Sequence, residues 1–211
     1  QGQKCSAPSR VYVPTDMWTR IRPRLVAEIE GLRMGDVADF SNFVGAVIDR
    51  RAFASITGYI RAASELPGGS IIAGGQSDDS VGYFIRPTLV EAQDPAHKLL
   101  CEEIFGPVLS IIEVEDEAEA ITVANHSRYG LSSSVYTRDI GRVFRYIDQV
   151  ETGILHVNSA TVGGEAQVPF GGLKDTGVGG REQGTTMLEF FTEWQSVYID
   201  YTGTRRTASF Y

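Results

Sequence analysis

Two cysteines stand in this 211-residue sequence, Cys5 and Cys101. A thiol is the side chain most able to act as a nucleophile, provided that its surroundings favour the thiolate. Cys5 lies in Gly2-Gln3-Lys4-Cys5-Ser6-Ala7-Pro8-Ser9-Arg10, ahead of Val11-Tyr12-Val13. Lys4 next to it, and a helix N-terminus behind it, would both lower the thiol pKa. The same residue read without chemistry is a small buried hydrophobe, the common fate of a free Cys. From its own neighbourhood the two readings weigh about equally. Cys101 follows Leu99-Leu100 on an expected short helix, where core packing is the expectation.

Two further stretches combine residue types that bind ligands. Glu102-Glu103-Ile104-Phe105-Gly106-Pro107 puts two acids and an aromatic ahead of a Gly-Pro turn. It reads either as a solvated acidic turn plugged by Phe105, or as an acid for sugar hydroxyls beside a ring that packs a flat group. Asn158 leads into Gly163-Gly164-Glu165 and Pro169-Phe170-Gly171-Gly172-Leu173-Lys174. In open α/β sheets ligands bind at the carboxyl ends of strands, so this loop is expected to wall a pocket there. Gly177 to Gly184 does not fit G-x-G-x-x-G and is not read as a dinucleotide fingerprint. His97, His126 and His156 have no metal-ligand spacing, and no metal site is expected.

The elements that must position these residues alternate in type. Arg10 to Pro14 has β-branched alternation and reads as a strand. Thr15 or Asp16 is placed to cap a helix with Met17, Ile21, Leu25, Ile29 and Leu32 on one face, interrupted by Pro23. A second amphipathic helix is expected within Val47 to Ser64, with Ile48, Ala52, Phe53, Ile56, Ile60 and Ala63 inward. Ser70 to Ala73, Tyr83 to Ile85, Thr88 to Glu91, Leu131 to Thr137 and Ile154 to Asn158 read as strands. Pro107 to Glu113 is a continuous apolar run, as in a strand covered on both faces. Helices are expected at Glu115 to Asn125 and Asp139 to Val150, and a pairing strand at Trp194 to Tyr201. Strands alternating with helices imply an α/β fold with an open, mostly parallel twisted sheet flanked by helices.

Composition narrows the function. The net charge of −8 argues against nucleic-acid or anionic-membrane partners, which would need a basic field. No apolar run approaches the roughly 18–20 residues of a membrane span. Two cysteines make no disulfide scaffold, and with no secretory signal both are read as reduced and the compartment as cytoplasmic. The sequence opens without Met, four residues before Cys5, and is read as a piece of something longer.

Taken together, the three stretches resemble the signatures of the NAD(P)-dependent aldehyde dehydrogenase superfamily. Gly2 to Ala7 resembles its catalytic-cysteine motif, Glu102 to Val108 its second signature, and Pro169 to Lys174 with Gly177 and Gly180-Arg181-Glu182 its third. They appear in the family's order, and the resemblance runs to about Tyr201. The first half is most like 1-pyrroline-5-carboxylate (glutamate-semialdehyde) dehydrogenases, a type tied to proline catabolism. Asn42-Phe43, Val47-Ile48-Asp49, Ala73-Gly74-Gly75 and Asp78 to Phe84 carry that likeness. Asn158 to Gln167 and Glu189 to Trp194 are more similar to 2-oxoglutarate-semialdehyde dehydrogenases.

The resemblance implies a catalytic portion over 1–188 and an oligomerisation strand and tail over 189–211, through which the chain would form a homo-oligomer. It implies Cys5 as the nucleophile, its backbone N–H forming half of an oxyanion hole. Glu103 would bind the nicotinamide ribose of NAD or NADP, and Phe105 would line the nicotinamide. Ser6, Gly163, Gly164 and Phe170 would shape a pocket for a small-molecule aldehyde. Lys174 and Arg181 match motif positions and are assigned to structure. The family's cofactor domain, general-base glutamate and side-chain oxyanion donor precede the cysteine motif. The 211 residues by themselves are therefore expected to turn over little, as an inactive module that folds and self-associates.

Overall fold

A computed structural model describes residues 1–201 and Gly203. The expected tail, Thr202 to Tyr211, lies outside the described residues apart from Gly203. The chain is mixed α/β. Four strands form the main sheet: β1 (Arg10–Pro14), β2 (Gly69–Ala73), β5 (Thr88–Ala92) and β6 (Val108–Val114), in the order β1-β6-β5-β2. β1, β6 and β5 are parallel, and β2 closes the edge antiparallel to β5. The short strands β3 (Ser77–Asp78) and β4 (Phe84–Ile85) form a separate hairpin. β6 is the apolar run: Val108, Ser110, Ile111, Ile112 and Val114 are all buried, as in a strand covered on both faces.

Helix α1 (Thr15–Glu30) follows β1 with no side-chain cap, because the strand runs straight into it from Pro14. Thr15 and Asp16 lie inside its first turn rather than at the cap. Its buried face is also turned from the expected one. Met17 and Ile21 are exposed, whereas Trp18 is buried and Leu25, Val26 and Ile29 pack with it against the sheet. The Trp18 indole donates to Glu91 over 2.6 Å, and Arg22 pairs with the same carboxylate at 2.9 Å. A polar anchor on β5 therefore selects the face.

Helix α2 (Arg50–Glu65) starts later than its apolar pattern suggests. The Asp49 carboxylate accepts from the Ala52 N–H at 2.7 Å and caps it. The Val47 and Ile48 amides are already committed, to the Tyr83 carbonyl and to Gln3 Oε1, so neither joins the helix and Ile48 is exposed. Ile56, Ile60 and Ala63 point inward as expected and form one core cluster with Val47, Ile85, Val90, Leu99, Ile104 and Val108. Pro67, which lacks an N–H, stands where the next helical bond would form.

On the short helix α3 (Lys98–Cys101), Leu99 and Leu100 are buried but Cys101 is exposed, contrary to the core packing expected of it. The helix ends there, and the thiol reaches outward to the Pro95 carbonyl at 3.6 Å. The second half contributes α4 (Glu117–Asn125), β7 (Tyr129–Gly130), β8 (Ser132–Val135), α5 (Ile140–Gln149), β9 (Ile154–Val157), β10 (Leu173–Lys174) and α6 (Thr186–Phe191). β8 and β9 pair parallel in a two-stranded sheet of their own. Residues 192–201 form no strand in the single chain. They are exposed, Trp194 and Tyr198 almost fully, and β pairing needs a neighbour that the described residues do not supply.

Candidate active site

The first nine residues are held from several sides. The Gln1 side-chain amide donates to the Ala46 carbonyl at 3.0 Å, and Gln3 Oε1 accepts from the Ile48 N–H at 3.0 Å. Gly2 has φ +69, and a β carbon there would stand 2.3 Å from the Gly106 carbonyl oxygen. Only glycine satisfies both the left-handed backbone and that approach. A turn closed by the Ala7 N–H on the Lys4 carbonyl (2.9 Å) then lifts Cys5 outward. Cys5 is exposed, which removes the reading of it as core filler. Among the described residues its N–H has no acceptor, so the amide is available to an oxyanion. The element behind Cys5 is β1 and not a helix, so no helix N-terminus acts on the thiol. Ser6 is buried, and its carbonyl accepts from the Thr161 hydroxyl at 2.6 Å.

The stretch 102–106 approaches from the start of β6. Parallel pairing sets Arg10 opposite Ser110, so Cys5 and Phe105 each lie five residues upstream of that couple. Both reach the amino edge of the sheet. The loop after β9, by contrast, leaves its strand at the carboxyl end. Within the stretch the residues alternate. Glu102 is engaged: the Tyr59 hydroxyl donates to it at 2.7 Å and Lys98 lies 3.9 Å away. Hydrogen bonding to Glu102, helped by burial, pushes the Tyr59 pKa up to about 12. Ile104 is buried in the core, and Gly106 is buried so tightly that a β carbon would stand 2.5 Å from Ile56. Glu103 and Phe105, between these anchors, are exposed. Among the described residues Glu103 has no hydrogen-bond or ion-pair partner. An uncommitted carboxylate and a free ring, two residues apart, fit a ribose diol and a flat nicotinamide.

The third stretch joins through Thr161, two residues before Gly163. Gly163 has φ +98 and open space around it, and the next residue, Gly164, would touch the Phe170 ring at 3.7 Å if it carried a β carbon. Phe170 is held by paired backbone bonds with Glu182, 2.6 and 2.9 Å long. Arg181 donates to the Gly172 carbonyl at 2.6 Å and lies across Gly171. The Lys174 ammonium meets the Asn125 and Ser127 carbonyls at 2.5 and 3.0 Å and the Glu151 carboxylate at 2.7 Å, closing the end of α4. Both cations have structural contacts, as their assignment anticipates. The structure thus ties Cys5 and Ser6 to Gly106 on one side and to Thr161 on the other. Among the described residues no hydrogen bond, ion pair or ring contact joins Glu103 or Phe105 to Gly163, Gly164 or Phe170.

Tyr59, Thr161, Gly2 and Gly106 complete the arrangement, and sequence reasoning did not single them out for it. Tyr59 follows Ile56 by three residues on α2, a spacing that places both on one face; for Thr161 no local signal exists. A hollow of about 350 Å³ lined by Gly69, Glu91, Gln93, Ile111 and Glu113 involves none of these residues. Among the described residues no group of three or more His, Cys, Asp or Glu side chains is placed to hold a metal. Among the described residues no helix is long and apolar enough to cross a membrane.

Comparison with known proteins adds an independent line. The family model described as "Aldehyde dehydrogenase family" matches residues 1–197. The mitochondrial delta-1-pyrroline-5-carboxylate dehydrogenase of Dictyostelium discoideum is 41% identical over 184 residues, covering 84% of this chain and 33% of that protein. The alpha-ketoglutaric semialdehyde dehydrogenase of Bacillus subtilis (strain 168) is 32% identical over 202 residues, covering 94% and 41%. Among solved structures, betaine aldehyde dehydrogenase from Staphylococcus aureus in complex with NAD+ superimposes with a TM-score of 0.85 at 33% identity, over 90% of this chain and 38% of that one. A putative aldehyde dehydrogenase from Burkholderia cenocepacia gives 0.91 at 29% identity, over 98% and 42%. The chain spans 33% to 41% of the length of these two curated relatives.

Proposed function

Because the chain belongs to the aldehyde dehydrogenase family, we propose that Cys5 is the nucleophile of an NAD(P)-dependent oxidation of an aldehyde to its acid. The observation that carries this reading is the exposed Cys5 turn, buttressed by Gly106 on one side and by Thr161 on the other. The thiolate attacks the aldehyde carbon and forms a thiohemiacetal, whose oxyanion faces the Cys5 N–H. NAD or NADP, when bound, supplies the acceptor for the hydride that leaves this carbon. Glu103 holds the nicotinamide ribose and Phe105 borders the ring. Water then hydrolyses the Cys5 thioester and frees the acid. Ser6, Gly163, Gly164 and Phe170 shape the aldehyde pocket.

The substrate is a semialdehyde that carries a carboxylate, glutamate semialdehyde ahead of 2-oxoglutarate semialdehyde. The activities for which the Dictyostelium and Bacillus relatives are named, at 41% and 32% identity, support that order. The catalytic unit is 1–188, and 189–211 carries the homo-oligomer contact, supported by the exposed apolar residues from Trp194 to Tyr201. The cytoplasm suits two free thiols. Taken alone, these 211 residues supply a thiol, one uncommitted acid and one ring on an open edge, and turn over little.

The test is kinetic, in the whole enzyme that carries this chain. Cys5→Ser is expected to lower kcat on the order of 10³-fold or more, with glutamate semialdehyde giving a higher kcat/KM than 2-oxoglutarate semialdehyde. Undiminished turnover by Cys5→Ser rejects the nucleophile, and the reverse preference rejects the substrate order. Micromolar NAD binding by the 211 residues alone, read by calorimetry, rejects the view that their cofactor site is incomplete.

A further inference from the structure

The stretch from Glu102 to Gly106 has no strand pairing of its own, yet every second residue in it is fixed. Ile104 sits in the core cluster with Ile56 and Ile60. Gly106 lies against Ile56 so closely that no side chain fits between them. At the other end Glu102 accepts the Tyr59 hydroxyl at 2.7 Å. Ile56 and Tyr59 are three residues apart on α2 and therefore face the same way. One helix face thus holds both ends of a five-residue segment and its middle. Ile104 and Gly106 are buried against that face, whereas Glu103 and Phe105 are exposed, Phe105 with a left-handed φ of +55.

Of the anchors, only Glu102 is chemically equivalent to the residue it sets apart. Two adjacent carboxylates compete for the same partners; the Glu102 N–H already bonds the Lys98 carbonyl at 3.0 Å, and the Tyr59 hydroxyl adds a hold on its side chain. The Tyr59 ring packs against the core cluster, so its hydroxyl is delivered from a fixed point. Lys98 stands 5.1 Å above the same ring and 3.9 Å from Glu102, adding a cation to the cluster. The committed acid and the uncommitted acid are thereby assigned by the helix, not by their own sequence.

We propose that Tyr59 is a positioning residue for the cofactor: by holding Glu102 it orients the segment so that Glu103 and Phe105 are presented together at the sheet edge. The role rests on the reading of Glu103 as the ribose ligand. Tyr59 itself touches neither substrate nor cofactor.

The experiment compares Tyr59→Phe, Glu102→Gln and Glu103→Gln in the whole enzyme, with NAD+ affinity read by calorimetry and the KM for NAD+ and for aldehyde read separately. Tyr59→Phe keeps the ring packing and removes only the donor. It is expected to weaken NAD+ binding about five- to tenfold, to raise the KM for NAD+ in proportion, and to leave the rate of Cys5 alkylation by iodoacetamide unchanged. Glu102→Gln keeps an acceptor for the Tyr59 hydroxyl and is expected to shift affinity about twofold at most. Wild-type affinity in Tyr59→Phe, while Glu103→Gln binds NAD+ more weakly, overturns the positioning role and leaves the ribose assignment intact. Wild-type affinity in Glu103→Gln overturns both. An equal rise of both KM values with a lower Tm in Tyr59→Phe assigns Tyr59 to general stability and also overturns the role.

Discussion

Gly2 and Gly106 meet backbone to backbone: a β carbon on the first would stand 2.3 Å from the carbonyl oxygen of the second. Two segments that carry different chemistry, the thiol turn and the acid–aromatic stretch, are thereby set in one fixed relation. Gly2→Ala is expected to cost about 1–3 kcal/mol from the backbone strain at φ +69 alone, and more from the contact. Thermal unfolding reads the stability, and slower iodoacetamide labelling of Cys5 reads the displaced turn. An unchanged Tm and an unchanged labelling rate would show that the two glycines do not need each other.

Both thiols are exposed, so alkylation rates report thiolate character and not access. Cys5 is expected to react with iodoacetamide at least about tenfold faster than Cys101, measured by peptide mass spectrometry over time. The Cys101 thiol is engaged with the Pro95 carbonyl at 3.6 Å. Equal rates would count against a preformed nucleophile.

The Thr161 hydroxyl reaches the Ser6 carbonyl across 155 residues of sequence. Thr161→Val preserves shape and removes the donor, at an expected cost of about 1 kcal/mol. Thr161→Ser restores the donor and should restore stability in urea unfolding. A Thr161→Val protein as stable as wild type would mean that the bond adds nothing net.

Asp139 caps α5, accepting from the Arg142 and Gly141 amides, and these bonds hold its carboxyl below the usual value of 3.8. A depressed acid stabilises the fold fully above its unfolded pKa and loses that contribution as pH falls through its folded value. The stability gap between wild type and Asp139→Ala should therefore be full at pH 7 and shrink as the pH drops below 3.8. Urea unfolding at both ends of that range checks it. A gap that does not change with pH would assign the cap to the neutral acid.

Residues 194–201 expose Trp194, Val197, Tyr198, Ile199 and Tyr201 in the single chain. Val197→Glu with Ile199→Glu is expected to shift the 211-residue protein to a smaller species in light scattering. An unchanged mass would remove this segment from the oligomer contact.

Elements defined by their own composition were legible in the sequence. The apolar run of β6, the inward face of α2 at Ile56, Ile60 and Ala63, and β1 from Arg10 to Pro14 all lie where pattern puts them. Features decided by distant partners were not. The face of α1 is chosen by Glu91 on β5, which takes the Trp18 indole and leaves Met17 and Ile21 outside. Ile48 fits the α2 pattern but its amide is claimed by Gln3. Cys101 lies one residue past two buried leucines and faces out because α3 ends. The strand expected at 194–201 has no neighbour to pair with among the described residues. At the candidate site, the motif residues were singled out because their types can carry chemistry. Thr161 and Tyr59 were not, since a link across 155 or 43 residues leaves no local period.

The alternation from Glu102 to Gly106 also separates two kinds of mutational freedom. Changes at Ile104 and Gly106 disturb the anchors on α2 and the backing of the Cys5 turn, and so are felt as misfolding. A change at Glu103 meets solvent, whereas Phe105, also exposed, sits at a left-handed φ of +55 that constrains its replacement. Selection can therefore rework the side chain that Glu103 presents at this edge without first finding a compensating change in the core.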